Sequence, residues 1–166
     1  MPHPLSPLGL AHTLLSLPPV IAGVASFIRH RRIDPATRWG QVYLAGLALS
    51  VVTSFGLSSV QGVNPGHVLG VLALLAAFAG AWLLPRWRAL GRLQPHLQSH
   101  LQNFGLSFSF FMLLVPGLNE TLTRLPAGAP LATGPDDPVV RGALLAWLLL
   151  FVVGFVLQTR AQRRRG

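Results

Sequence analysis

From Ser6 to Ile28 the chain contains no Asp, Glu, Lys or Arg, and then it meets the cluster Arg29-His30-Arg31-Arg32. A helix of about 20 apolar residues is what crossing a hydrocarbon core demands, because backbone polar groups there must be satisfied within the segment. One helical face of this stretch carries His12, Ser16, Pro19, Gly23 and His30. Four further apolar blocks of similar length follow, so the expected spans are about 8–28, 40–59, 65–84, 102–122 and 139–157. The expected fold is therefore all-α, a polytopic membrane helix bundle of five transmembrane helices. Residues 1–166 then form a single integral membrane domain, with 159–166 as a basic cytoplasmic tail. Only 10% of the residues are charged, against about 25% in soluble domains.

The formal charge of +9 comes from thirteen basic residues, all arginine. They stand in short runs at the ends of apolar blocks, without the interleaved aromatics of a base-stacking surface. The partner is therefore the lipid bilayer and not nucleic acid. With five spans, eleven arginines fall on one face and only Arg124 and Arg141 on the other. The excess of basic residues in cytoplasmic loops then predicts a bacterial inner (plasma) membrane protein with its N-terminus outside and its C-terminus cytoplasmic. Met1 to Ser6 lacks the positive start of a secretory signal, so the first span is expected to be retained. There is no cysteine, hence no disulfide, thiolate metal site or nucleophilic thiol.

Within the spans, Pro18-Pro19 should kink or loosen the first helix, and Pro116-Gly117 should bend the fourth. Gly46, Ser50 and Ser54, and likewise Gly66, Gly70, Ala73, Ala77 and Ala81, form small-residue stripes that let helices approach closely. Gln61 to Asn64 reads as a tight turn, Pro85 to Gln98 as a polar basic loop, and Leu125 to Pro138 as a Pro/Gly-rich loop. Asp136-Asp137 reads as a cap for the last helix.

The expected topology sorts the histidines. His12 and His67 fall at the outer side with Glu120 and Arg124, which are spaced to pair on one helix face. Intramembrane polar groups need a partner or a task. The plain alternative for both histidines is an imidazole bonded to a carbonyl. The functional alternatives are a haem b held by His12 and His67, a zinc site of His12, His67 and Glu120, and quinone or proton handling by the same groups. A second cofactor pair would be His30 with His100, or with His96 one turn earlier. His12 and His30 are separated by about 27 Å along a helix, near opposite boundaries of the hydrocarbon layer. Phosphate loops, G-x-S-x-G elbows and HExxH motifs are absent.

The segments Thr37-Arg38-Trp39-Gly40-Gln41-Val42-Tyr43, Asn64-Pro65-Gly66-His67 and His100 through Asn119-Glu120-Thr121-Leu122-Thr123-Arg124-Leu125-Pro126 resemble a family of small bacterial multi-pass membrane proteins known only as a domain of unknown function. The resemblance covers about residues 8–126. Members of that family often carry a histidine just before the Arg-x-x-Gly stretch, where Thr37 stands here. The resemblance implies a polytopic architecture with an intramembrane histidine in the first and third spans, and no activity. The functional expectation is an outer-side His/Glu/Arg cluster binding haem b for quinone-linked electron transfer. The alternatives are a non-catalytic accessory or structural subunit of a larger membrane complex, and a metal-dependent membrane hydrolase.

Overall fold

The computed structural model describes residues 7–61, 64–126 and 128–163. Its helices are α1 (Pro7–His30), α2 (Arg38–Gln61), α3 (Pro65–Phe78), α4 (Leu84–Ala89), α5 (Pro95–Arg124) and α6 (Pro138–Arg163). A π-helical stretch, Ala79–Leu83, joins α3 to α4 in one rod. No strand occurs among the described residues. Among the described residues, four rods are long and apolar enough to cross a membrane: α1, α3–α4, α5 and α6. The expectation was five such spans. The fifth rod, α2, has 24 residues and is not among these four. Much of the outer surface is large and aliphatic, with Leu14, Ile21, Leu75, Leu149 and Val153 exposed. A surface of that kind is shed by water and accepted by lipid.

Local chemistry folds α2 back on α1. Arg31 adopts the left-handed conformation (φ 61°), and its amide donates to the Phe27 carbonyl at 3.0 Å, which ends α1 as glycine usually does. For a non-glycine residue that conformation costs roughly 1–2 kcal/mol. The Asp34 carbonyl then accepts from the Thr37 amide and hydroxyl. The Thr37 hydroxyl oxygen accepts in turn from the Gly40 amide at 3.1 Å, so Thr37 is the N-cap of α2. Along the hairpin the side chains meet in antiparallel order: Pro19 against Gly46, Ser16 with Ser50 at 2.7 Å, and His12 with Thr53 at 2.9 Å. The helix runs unbroken through Pro18-Pro19; Pro19, fully buried, is the knob that Gly46 makes room for.

Burial opposes ionisation of Asp34, but the Ala36 amide and the Arg32 guanidinium outweigh it and hold the carboxyl below its ordinary value of 3.8. A depressed folded-state value means that this contribution to stability is complete above about pH 4 and is lost as pH falls through the lower folded value. Thermal unfolding of the purified protein should show this loss below about pH 4, and Asp34→Asn should reduce it.

The core lies between α1, α2, α3 and α5. The Ser109 hydroxyl donates to the Leu106 carbonyl, so the 2.6 Å contact with Tyr43 is donated by the Tyr43 hydroxyl. Phe110 is wedged between Phe27, Tyr43 and Trp147, and it covers Gly23 so closely that a Cβ there would lie 2.3 Å from its ring. Tyr43→Phe should lower unfolding free energy by about 1 kcal/mol, the net worth of one buried hydrogen bond, as read from denaturant titration.

The α3–α4 rod widens because Pro85 has no amide to continue the ladder. The Leu84 amide reaches the Ala79 carbonyl instead, closing a wider turn. Beside it, Gly105 of α5 packs against the Ala76 carbonyl and Gly80 against Leu106. The polar loop expected over Pro85 to Gln98 shrinks to residues 90–94, since α4 continues to Ala89 and α5 starts at Pro95. Helix α6 is also longer than the expected 139–157 and takes in part of the basic tail. Asp137 caps it, accepting from the Val139 amide at 2.9 Å, while Asp136 pairs with Arg141. An aromatic ladder of Phe104, Phe108, Phe111, Phe151 and Phe155 seats α6 on α5. Residues 62 and 63 of the expected turn and 164–166 of the tail lie outside the described residues.

Candidate functional site

At the end of the bundle where α1 begins, the two histidines singled out in the sequence have different surroundings. Thr53 gives its one hydroxyl proton to the Leu49 and Ser50 carbonyls. The Thr53 oxygen must therefore accept from His12 Nδ1. That fixes His12, half-buried in the α1–α2 seam, as the Nδ1–H tautomer with the lone pair on Nε2.

His67 is buried and both of its ring nitrogens are used. Nδ1 accepts from the Asn64 amide at 3.1 Å, which makes Nε2 the protonated nitrogen, donating to the Ser54 carbonyl at 2.9 Å. Asn64 returns the favour by accepting from the His67 amide. The pair is a capping box with histidine in the place usually held by Glu or Gln, and Pro65 occupies the first turn. His67 thus starts α3 and ties it to α2. The signal was legible in Asn64-Pro65-Gly66-His67, where an N-cap, a first-turn proline and a third-position side chain stand in sequence.

Glu120 and Arg124 form the expected ion pair at i, i+4, both about half exposed. Such a pair contributes roughly 0–1 kcal/mol. Glu120 and His67 both lie within electrostatic range of His12, so these three residues gather at one end of the bundle. They do not assemble a metal site: no group of three or more His, Cys, Asp or Glu able to hold a metal exists among the described residues. The lone pair of His67 is filled by the Asn64 amide, and Glu120 is turned to Arg124. Ligation of haem b by His12 and His67 together would require His67 to release Asn64. One imidazole, His12, is left with a lone pair outside the capping network.

The opposite end gathers the arginines. Arg29 stacks over Trp39 at 5.3 Å, and Arg32 pairs with Asp34 at 2.7 Å. An open cleft of about 510 Å³ lies there. Its walls are Arg29 to Arg32 and Asp34 from the end of α1, Ser99 and Asn103 from α5, and Gln158 and Gln162 from α6. His30 lines it; no hydrogen bond joins His30 to His96 or His100, and those two are not on the wall. Asn103 and Ser107 both donate to Gln158 Oε1 at 3.0 Å, and Gln162 reaches Ser99. The sequence reading missed this polar seam, although Ser99, Asn103 and Ser107 recur every four residues and face Gln158 and Gln162 at the same spacing.

No family model, curated protein or solved structure matches this chain.

Proposed function

We propose that the chain is a five-span protein of a bacterial inner membrane that acts at its outer end, through His12, in quinone-linked electron transfer with a larger membrane complex. The observation that carries this reading is the tautomer of His12. Its Nδ1–H is held by Thr53, which leaves Nε2 to accept a hydrogen bond and then a proton from the hydroxyl of a quinol, while the electrons pass to the partner complex. Ionisable groups inside membrane bundles mark such pathways. A single imidazole ligand to haem b is compatible with the same nitrogen.

The five-span topology is supported by the pairing of α2 with α1. The contacts of His12, Ser16 and Pro19 with Thr53, Ser50 and Gly46 keep α2 alongside α1 through the same depth. A membrane crossed by one is then crossed by both. Five crossings put the chain ends on opposite sides, and the arginine cluster puts the C-terminus in the cytoplasm. A C-terminal reporter fusion should be active only as a cytoplasmic reporter.

The functional test uses the purified chain, a short-chain quinol analogue, and the variants His12→Ala and His67→Ala. Binding should weaken about fivefold in His12→Ala, the loss of one neutral hydrogen bond of about 1 kcal/mol. It should persist in His67→Ala at temperatures where that variant is folded. Unchanged affinity in His12→Ala would sink the reading and favour the accessory-subunit alternative. A haem absorption band lost equally in both variants would establish the two-histidine haem instead.

A further inference from the structure

We infer that the cleft at the arginine-rich end holds the headgroup of an anionic phospholipid carrying free hydroxyls, of the phosphatidylglycerol type. This rests on the chain crossing a membrane and not on the role of His12. The cleft lies between the C-terminal ends of α1 and α6, with α5 as its floor. Three guanidiniums and His30 line it against one carboxylate, Asp34, which is committed to Arg32. His30 and Arg31 make no side-chain hydrogen bond or ion pair among the described residues. The positive charge on this wall is therefore unmatched, and its counterpart is an anion.

A second observation specifies more than charge. Asn103, 3% exposed, sits on the cleft wall with its Oδ1 buried and without a hydrogen-bond partner; Gln162 Oε1 is in the same state. Both atoms are acceptors, and orphaned buried acceptors are costly. An anion alone would repel them. A ligand that satisfies the whole wall must bring a negative group for the arginines and hydrogen-bond donors for the two amide oxygens. A phosphodiester bearing a glycerol with free hydroxyls brings both. A choline headgroup brings no donor and no net charge, and phosphatidic acid brings no glycerol hydroxyl. The location agrees, because the arginine-rich ends of membrane helices sit at headgroup depth.

The test reconstitutes the full chain in nanodiscs of equimolar phosphatidylglycerol and phosphatidylcholine, transfers it to detergent, and counts retained lipids by native mass spectrometry. Phosphatidylglycerol should be retained about fivefold over phosphatidylcholine, the scale of one arginine near an anionic surface. Arg31→Gly should abolish that preference without loss of folding, since glycine accepts the left-handed conformation that arginine holds here. Equal retention of the two lipids, or an unchanged preference in Arg31→Gly, would overturn the proposal. Retention of phosphatidic acid equal to that of phosphatidylglycerol would overturn the assignment of hydroxyls to the amide oxygens. Displacement of the lipid by millimolar glycerol phosphate would show a site for a soluble phosphate ester and overturn the lipid source.

Discussion

Gly40→Ala should destabilise the purified protein by about 3 kcal/mol, at the upper end of what inserting a methyl group into a packed site costs. A Cβ at this position would lie 1.9 Å from the Asp34 carbonyl oxygen and 2.6 Å from its carbon. Both are backbone atoms, so no rotamer change relieves the clash. Nor can the carbonyl simply withdraw, because it accepts from both the amide and the hydroxyl of Thr37, and Thr37 caps α2. The methyl group would have to break the cap or lift the loop off Ile33, which is buried beneath it. Gly142→Ala is the matched control: nothing lies within 4 Å of its added Cβ, and helix propensity alone should make that change neutral or favourable by up to about 1 kcal/mol. Thermal unfolding in detergent separates the two. Similar midpoints for both variants would show that the α1–α2 loop is not closed in this way.

His67→Ala is expected to cost about 3–5 kcal/mol, while His12→Ala costs about 1 kcal/mol. Removing the buried ring strands the Asn64 amide and the Ser54 carbonyl, and each unsatisfied buried group costs about 1–3 kcal/mol. His12 is half-exposed, and its loss leaves Thr53 still bonded to two carbonyls. His67→Gln restores the side chain usual at that capping position and should recover about 1 kcal/mol. Asn64→Ala, which removes the other half of the box, should cost about 1 kcal/mol. Denaturant titration in a fixed detergent gives the order. Equal losses at His12 and His67 would contradict the division between a structural and a functional imidazole on which the outer site depends.

That division shows where a sequence stops being legible. The apolar blocks and the i, i+4 spacing of Glu120 and Arg124 are local patterns; the ion pair appears in the structure as read, and four of the five blocks appear as membrane-length apolar helices among the described residues. So does the cap at Asp137, because a cap involves residues only two or three positions apart. The limits of the helices were less legible. Pro85 was read as a boundary, yet a π turn carries the rod past it, and Pro95 to Gln98 were read as loop although they begin α5. Propensity at helix ends is weak, and packing of Gly80 and Gly105 decides it.

What the sequence by itself determined is an all-helical chain with membrane-length apolar helices and one strongly basic end, since hydropathy and charge act residue by residue. Only the tertiary structure decided which lone pairs are free. Whether His67 is a ligand or a cap depends on a carbonyl thirteen positions away, and the polar seam of Asn103 with Gln158 joins residues more than fifty apart. Hydrogen bonds are directional and saturable, so a histidine's chemistry is set by the partner it meets in space, which spacing along a chain does not encode.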